Sequence, residues 1–288
     1  MARIFYALII LMISTASLPA QVKFLLDYNA RTGEYTVSMM PERTWTSPQN
    51  KTATGQVTIK ATTGQLVVKD VVSHVEDTDW IPSGKVTSPM ESPKYDYHFF
   101  RLKTPGLTEM PYRAFRPTKL FTFTIEANCA REVMLVSNKE DAFLPPNSRS
   151  VNIGNSIGAL GANGEAYIGN ISDLPIFCPY ADPPKKDTET KIVETQPEIV
   201  PVIGKTVIYP NPTVNEVAIS LNWLGTKGSK NIMAYNSAGE LVRFFQQDFQ
   251  EGANRFTLEI SDFDNGVYNF QVVDDHQQLT LGKIIKVK

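Results

Sequence analysis

The sequence predicts an all-β protein of two β-sandwich domains joined by a proline-rich linker. Three observations predict it. Apolar and polar residues alternate with period two along most of the chain, and no window of eleven residues holds a helical 3.6 period. The alternating runs are short and separated by Gly, Pro and Asn turns, the pattern of a sandwich. Finally, Asp182 to Pro201 carries four prolines, alternating charge and no glycine, and such a stretch is extended and semi-rigid. The domains read as 21–180 and 204–288, with the linker at 181–203 and a leader at 1–20.

The chain has 288 residues, 42% hydrophobic and 20% charged, a globular composition. Lys+Arg 28 against Asp+Glu 30 gives a net charge of -2, with no run of like charge beyond a pair. That argues against a nucleic-acid groove, which needs clustered cations to neutralise phosphates. Arg3 followed by the uncharged stretch Ile4 to Ile13 reads as a signal peptide, too short for a spanning helix. Cleavage is expected after Ala20, leaving Gln21, or after Ala16. No other apolar run approaches the ~20 residues of a membrane span.

The first domain opens with Phe24, Leu26 and Tyr28, then Tyr35, Val37 and Met39. Asn29 to Gly33 forms a hairpin loop between them, its glycine at the positive-φ position. Val57/Ile59, Leu66/Val68 and Phe121/Phe123/Ile125 are further strands. Pro41 to Pro48, Ser83 to Lys94 and Lys103 to Pro117 read as surface connections, where binding residues tend to lie. Tyr95, Tyr97 and Phe99 share one strand face and read as core. Cys129 and Cys178 are the chain's two cysteines. In an exported protein a bridge between them is favoured over two separate buried thiols. The loop it would close suggests about 4 kcal/mol in the chain-entropy picture.

In the second domain, Val217, Ile219 and Leu221 share one face of a strand. Asn236 to Gly239 joins Ile232–Tyr235 to Leu241–Phe245 as a hairpin. Phe256/Leu258/Ile260 and Tyr268/Phe270/Val272 alternate in the same way, and seven short strands fit a small sandwich. In the last strand Lys286 and Lys288 alternate with Ile285 and Val287, predicting a basic stripe opposite an apolar one.

Tyr209-Pro210-Asn211-Pro212 opens this second run. Gly239 marks its central turn, Gly266-Val-Tyr268 opens a late strand, and Lys283, Lys286 and Lys288 close the sequence. In this order and spacing, the segment resembles the type A C-terminal sorting domain of type IX secretion system cargo in Gram-negative bacteria. The resemblance implies an immunoglobulin-like fold, an address read by the outer-membrane secretion machinery, and residence at the cell surface or outside the cell. Residues 22–180 look like the cohesin-like or immunoglobulin-like domains that accompany such tails. The quoted segments are Leu120 to Ile125, Cys129, Asp141 to Ser148, Asn152 to Ser156 and Tyr167 to Asn170. That likeness implies no particular activity.

Candidate chemistry is sparse. Gly154-Asn-Ser156-Ile-Gly158 matches the serine-hydrolase G-x-S-x-G pattern, which needs a strand-to-helix turn. The residues that follow, through Gly164, cannot begin a stable helix, so a glycine-rich loop is the better reading. These glycines do not form a nucleotide-binding fingerprint either. His74, His98 and His276 form no zinc-ligand pair. His74 with Glu76, Asp77 and Asp79 reads as a solvated acidic loop in preference to a calcium site, and Asp262 to Gly266 as a turn. Trp45 and Trp80 fall in loop-like sequence and are the candidate ligand-binding residues. No catalytic residue, metal or cofactor is expected. The sequence therefore predicts a non-enzymatic exported protein. Its expected partners are the type IX machinery through the tail and an unidentified surface glycan or protein through the first domain. The rivals are a carbohydrate-binding module and, further off, a hydrolase acting through Ser156.

Overall fold

The structure, a computed structural model, describes residues 21–127, 129–162, 164–178, 203–274 and 277–288. The leader, residues 179–202, which hold nearly all of the expected linker, and His276 lie outside the described residues.

The first domain runs β1 (Val22–Asn29), β2 (Glu34–Pro41), β3 (Lys51–Thr62), β4 (Val68–Ser73), β5 (Asp79–Val86), β6 (Tyr95–Lys103), β7 (Thr108–Glu109), β8 (Thr118–Ile125), β9 (Glu132–Leu135), β10 (Ser156–Ala159), β11 (Gly164–Glu165), β12 (Tyr167–Asn170) and β13 (Ile176–Phe177). One sheet has the order β12-β1-β2-β8-β4. The other has β11-β10-β3-β6-β5, with β7 and β9 also on β3, and β13 on β9. Strand β12 joins β1 in parallel, whereas β1 and β2 form the expected antiparallel hairpin. Gly33 has φ 71° in its turn, a conformation that costs glycine little.

Between the sheets lie Val22, Phe24, Tyr35, Val37 and Met39 from one side and Val57, Ile59, Phe100 and Leu102 from the other. Full burial of each such side chain is worth about 1.5–3 kcal/mol. Cys129 and Cys178 are bridged, with Cα atoms 5.4 Å apart, which ties the domain's last segment beneath this core.

Several loop expectations give way to strands. Ser83 to Val86 belongs to β5, and Thr108–Glu109 pairs with β3 inside the segment expected to be wholly loop. The glycine-rich stretch holds β10, a 3-10 turn at Leu160–Ala162, and β11. Short edge pairings of this kind leave a weak periodic trace, because two to four residues do not complete a pattern. Tyr95, Tyr97 and Phe99 do share a face, but that face is turned away from the main core. The β9–β10 segment folds back over it, and Tyr97, Val136, Phe143 and Ile153 make a second, smaller core there.

The tail runs β14 (Ile203–Tyr209), β15 (Glu216–Trp223), β16 (Gly228–Tyr235), β17 (Leu241–Phe249), β18 (Gly252–Glu259), β19 (Gly266–Asp274) and β20 (Gln277–Lys286). These form a sandwich of three strands (β14-β15-β18) on four (β17-β16-β19-β20), matching the expected seven. Trp223, Ile219, Leu258, Phe270 and Ile284 are among the residues filling its core.

The two domains touch directly. Leu25 and Met40 point off the outer face of the five-stranded sheet. With Ile171, they pack against Met233 and Phe244 on the outer face of the tail's four-stranded sheet. Phe115 meets Phe244 edge-on, ring centroids 5.4 Å apart. At the margin Lys119 pairs with Glu240 at 2.7 Å, and Asp262 accepts from both Arg116 and Arg243.

Candidate functional site

Most of the tail's motif residues, scattered over nearly eighty positions, converge on β20. Asn211 reaches across with both ends of its amide. Its Oδ1 accepts the Ile285 N–H at 2.9 Å, and its Nδ2 donates to the Lys283 carbonyl at 3.1 Å. Thr213 continues the clamp through its backbone. Its N–H donates to the Ile285 carbonyl, and its carbonyl accepts from the Val287 N–H, both at 2.9 Å. The Thr213 hydroxyl donates to the Glu216 carbonyl, which holds the turn into β15. The prolines on either side of Asn211 restrict φ and lack N–H groups, so the segment presents its amide without competing ladder bonds.

On the other side β20 pairs with β19. Gly266 faces Lys286 and Tyr268 faces Ile284. Tyr268 packs on Phe263, centroids 4.8 Å apart, and its hydroxyl donates to the Asp264 carbonyl at 2.9 Å. Tyr209 sits at the end of β14 with the Arg255 guanidinium 5.4 Å over its ring, a cation–π arrangement. Gly239 is remote from this clamp. It has φ 81° in the β16–β17 hairpin, where the Asn236 side chain accepts from the N–H groups of Ala238 and Glu240.

The expected basic stripe is not formed. Ile284 and Lys286 point inward, Lys286 being only 5% exposed, and its Nζ donates to the Val287 carbonyl at 3.0 Å. Ile285 and Val287 face outward, 46% and 37% exposed. The reason is a bulge in β20: Phe270 faces Gly282 but Gln271 faces Thr280, so Leu281 has no partner. One extra residue reverses the parity of every side chain beyond it. Gly282 sits at φ 151°, and a Cβ there would lie 2.9 Å from Ile208 Cδ1, so the bulge also lets β20 approach β14 closely. A glycine inside a strand pattern is the sequence signal for this. The outward surface at the end of the tail is therefore mixed: Ile285, Val287 and Val267 are exposed and apolar, with Lys283 and Lys288 exposed beside them.

The first-domain candidates fare differently. Trp80 is not a loop residue. It lies in β5, 1% exposed, stacked against Phe121 at 5.2 Å, so it is core and unavailable to a ligand. Trp45 is half-buried between Tyr112, 5.1 Å away, and Gly161, where a Cβ would come within 3.0 Å of the indole. Ser156 is the first residue of β10, opposite Gln56, and β10 is followed by the short 3-10 turn at Leu160–Ala162 in place of the long helix a nucleophile turn opens. Its neighbour Asn155 is the residue that sequence reasoning missed. It is buried, its Oδ1 accepts the Thr58 N–H at 2.7 Å, and its Nδ2 donates to the Val136 carbonyl at 2.7 Å. His74 is engaged with the Thr122 hydroxyl at 3.0 Å. His98 is held down to about 4, first by burial and then by the Lys85 charge.

With the geometry in place, comparison with known proteins identifies the tail. Residues 207–287 match the secretion system C-terminal sorting domain family. The tail is thereby a sorting domain of type IX secretion cargo, which directs export to the cell surface or the extracellular space. No curated protein matches the chain. Among solved structures it is similar to one described as "Biofilm associated protein - BSP domain", with 11% identity and a TM-score of 0.26. That alignment covers 96% of this chain and 53% of the other, so the chain spans about half of that structure's length. Among the described residues no helix is long and apolar enough to cross a membrane.

Proposed function

We propose that the first domain is a non-enzymatic binding or structural module delivered by its sorting tail to the bacterial surface, and that the address is read at the end of β20. The observation that carries the second part is the clamp. Asn211 and Thr213 fix the backbone of Lys283 to Val287 while leaving Ile285, Val287, Lys283 and Lys288 outward. A rigid terminal strand with an apolar pair between cations suits a receptor that reads both pocket and charge. The non-enzymatic reading draws its support from how the candidate groups are used. Ser156 and Asn155 serve strand pairing, His74 a hydroxyl contact, and Trp80 the core.

The test is deletion of Gly282 to Lys288 in the full chain, followed by fractionation. The expected outcome is a disulfide-bonded protein retained in the periplasm, and normal arrival at the surface would overturn the assignment. A reporter carrying residues 204–288 should conversely cross the outer membrane in a host with this secretion system.

A further inference from the structure

The β9–β10 segment covers a lysine and an aspartate whose surroundings differ from those of an ordinary ion pair. Lys60 lies on the outer face of β3, opposite Tyr97 of β6 and Met134 of β9. Its Nζ is 2.6 Å from Asp141 Oδ2; the lysine side chain is 16% exposed and the aspartate 0%. The other carboxylate oxygen is held separately. Asp141 Oδ1 accepts the Tyr97 hydroxyl at 2.8 Å and the Phe143 N–H at 2.9 Å. Phe143 and Tyr97 belong to the small core that closes over the site, and the Tyr95 ring lies 5.0 Å beneath the Lys60 nitrogen.

We propose that Lys60 and Asp141 condense into an intramolecular amide cross-link between β3 and the segment that covers it. The proton passes from Nζ to Oδ2 along their 2.6 Å hydrogen bond, leaving an amine and a carboxylic acid in contact. The amine lone pair then attacks Cγ and a C–N bond forms. The carbonyl electron pair moves onto Oδ1, where the Tyr97 hydroxyl and the Phe143 N–H already donate, as in an oxyanion hole. The hydroxyl at Oδ2 takes a second proton from the nitrogen and leaves as water, and the carbonyl re-forms on Oδ1. One amide and one water are produced, with no other reactant. Contact enforced by the fold supplies the effective concentration that free groups lack, and exclusion of water prevents reversal.

The buried pair in the tail makes the contrast. There Lys230 Nζ and the Thr226 hydroxyl both donate to Asp274 Oδ1, so the second donor falls on the very oxygen the amine holds. The cross-link is assigned to Lys60–Asp141.

The measurement is the intact mass of the full secreted chain, reduced and denatured, followed by peptide mapping. The expected mass is one water below that calculated for the processed, reduced chain, with a branched peptide joining the segments that contain Lys60 and Asp141. Lys60→Arg restores the full mass. Asp141→Asn still cross-links, now losing ammonia, and yields the same branched peptide. An unmodified chain carrying the full mass overturns the proposal, as does a lost water that maps to any other pair. The unmodified chain decides the matter even where a variant fails to fold.

Discussion

The Asn211 side chain accepts the backbone N–H of Ile285 at 2.9 Å across 74 positions of sequence. It thereby joins the start of the sorting tail to its end. Asn211→Ala removes two side-chain hydrogen bonds at a partly solvated site. It should cost the tail about 1–2 kcal/mol and lower the exported fraction. Denaturant unfolding of the full chain and fractionation of cells check the two effects. Asn211→Asp keeps the acceptor but loses the donor to Lys283, and should fall between.

Phe244→Ala should loosen the contact between the domains. Phe244 is buried against Leu25, Met40 and Phe115, and truncating a buried phenylalanine costs about 3–5 kcal/mol. The loss should appear as faster amide exchange at Leu25 and Met40 together with Met233. Lys119→Ala should do far less, because the Lys119–Glu240 pair is nearly half-exposed and such pairs contribute about 0–1 kcal/mol.

Asp27 gives stability a pH slope. Burial raises its carboxyl to about 6, opposed by the Tyr28 N–H and by Lys119. The folded state then keeps a proton that the unfolded chain has released. Its contribution is full below the ordinary carboxylate range near 4 and is lost as pH rises through about 6. Asp27→Asn should flatten this part of the profile and raise stability at neutral pH by about 1–3 kcal/mol. Urea midpoints between pH 4 and pH 8 measure it.

Asn155→Ala should be among the most damaging single changes in the first domain. It strips the buried Thr58 N–H of its partner, while the Val136 carbonyl keeps the Asn170 amide. An unpaired buried group costs about 1–3 kcal/mol. Ser156→Ala, one residue on, should change stability by less than about 0.5 kcal/mol. Thermal unfolding of the two variants side by side gives the comparison.

The tail was more legible in sequence than the first domain, for physical reasons. Its strands are long enough to complete a period, as in Phe256/Leu258/Ile260, and its turns carry their own chemistry, as at Asn236 to Gly239. The disulfide was also readable, since an exported chain with two cysteines has one pairing. Trp80 was misread because Pro82 and Gly84 in β5 imitate a loop, although an edge strand tolerates both. Lys286 was misread because a bulge reverses parity without changing composition. Asn155, Asp262 and the pair Lys60–Asp141 owe their roles to partners 19 or more positions away. Local patterning carries no trace of such contacts.

The packing of Leu25 and Met40 against Phe244 also bears on the order of synthesis. A chain grows from its N-terminus at roughly 5–20 residues per second. Leu25 and Met40, on the otherwise polar outer face of the first hairpin, are therefore made long before the strand that shelters them. For that interval the nascent protein shows a small apolar patch without its native cover. The tail, made later, covers these positions of the first domain, so a message truncated before it would release a fragment lacking native cover as well as an address.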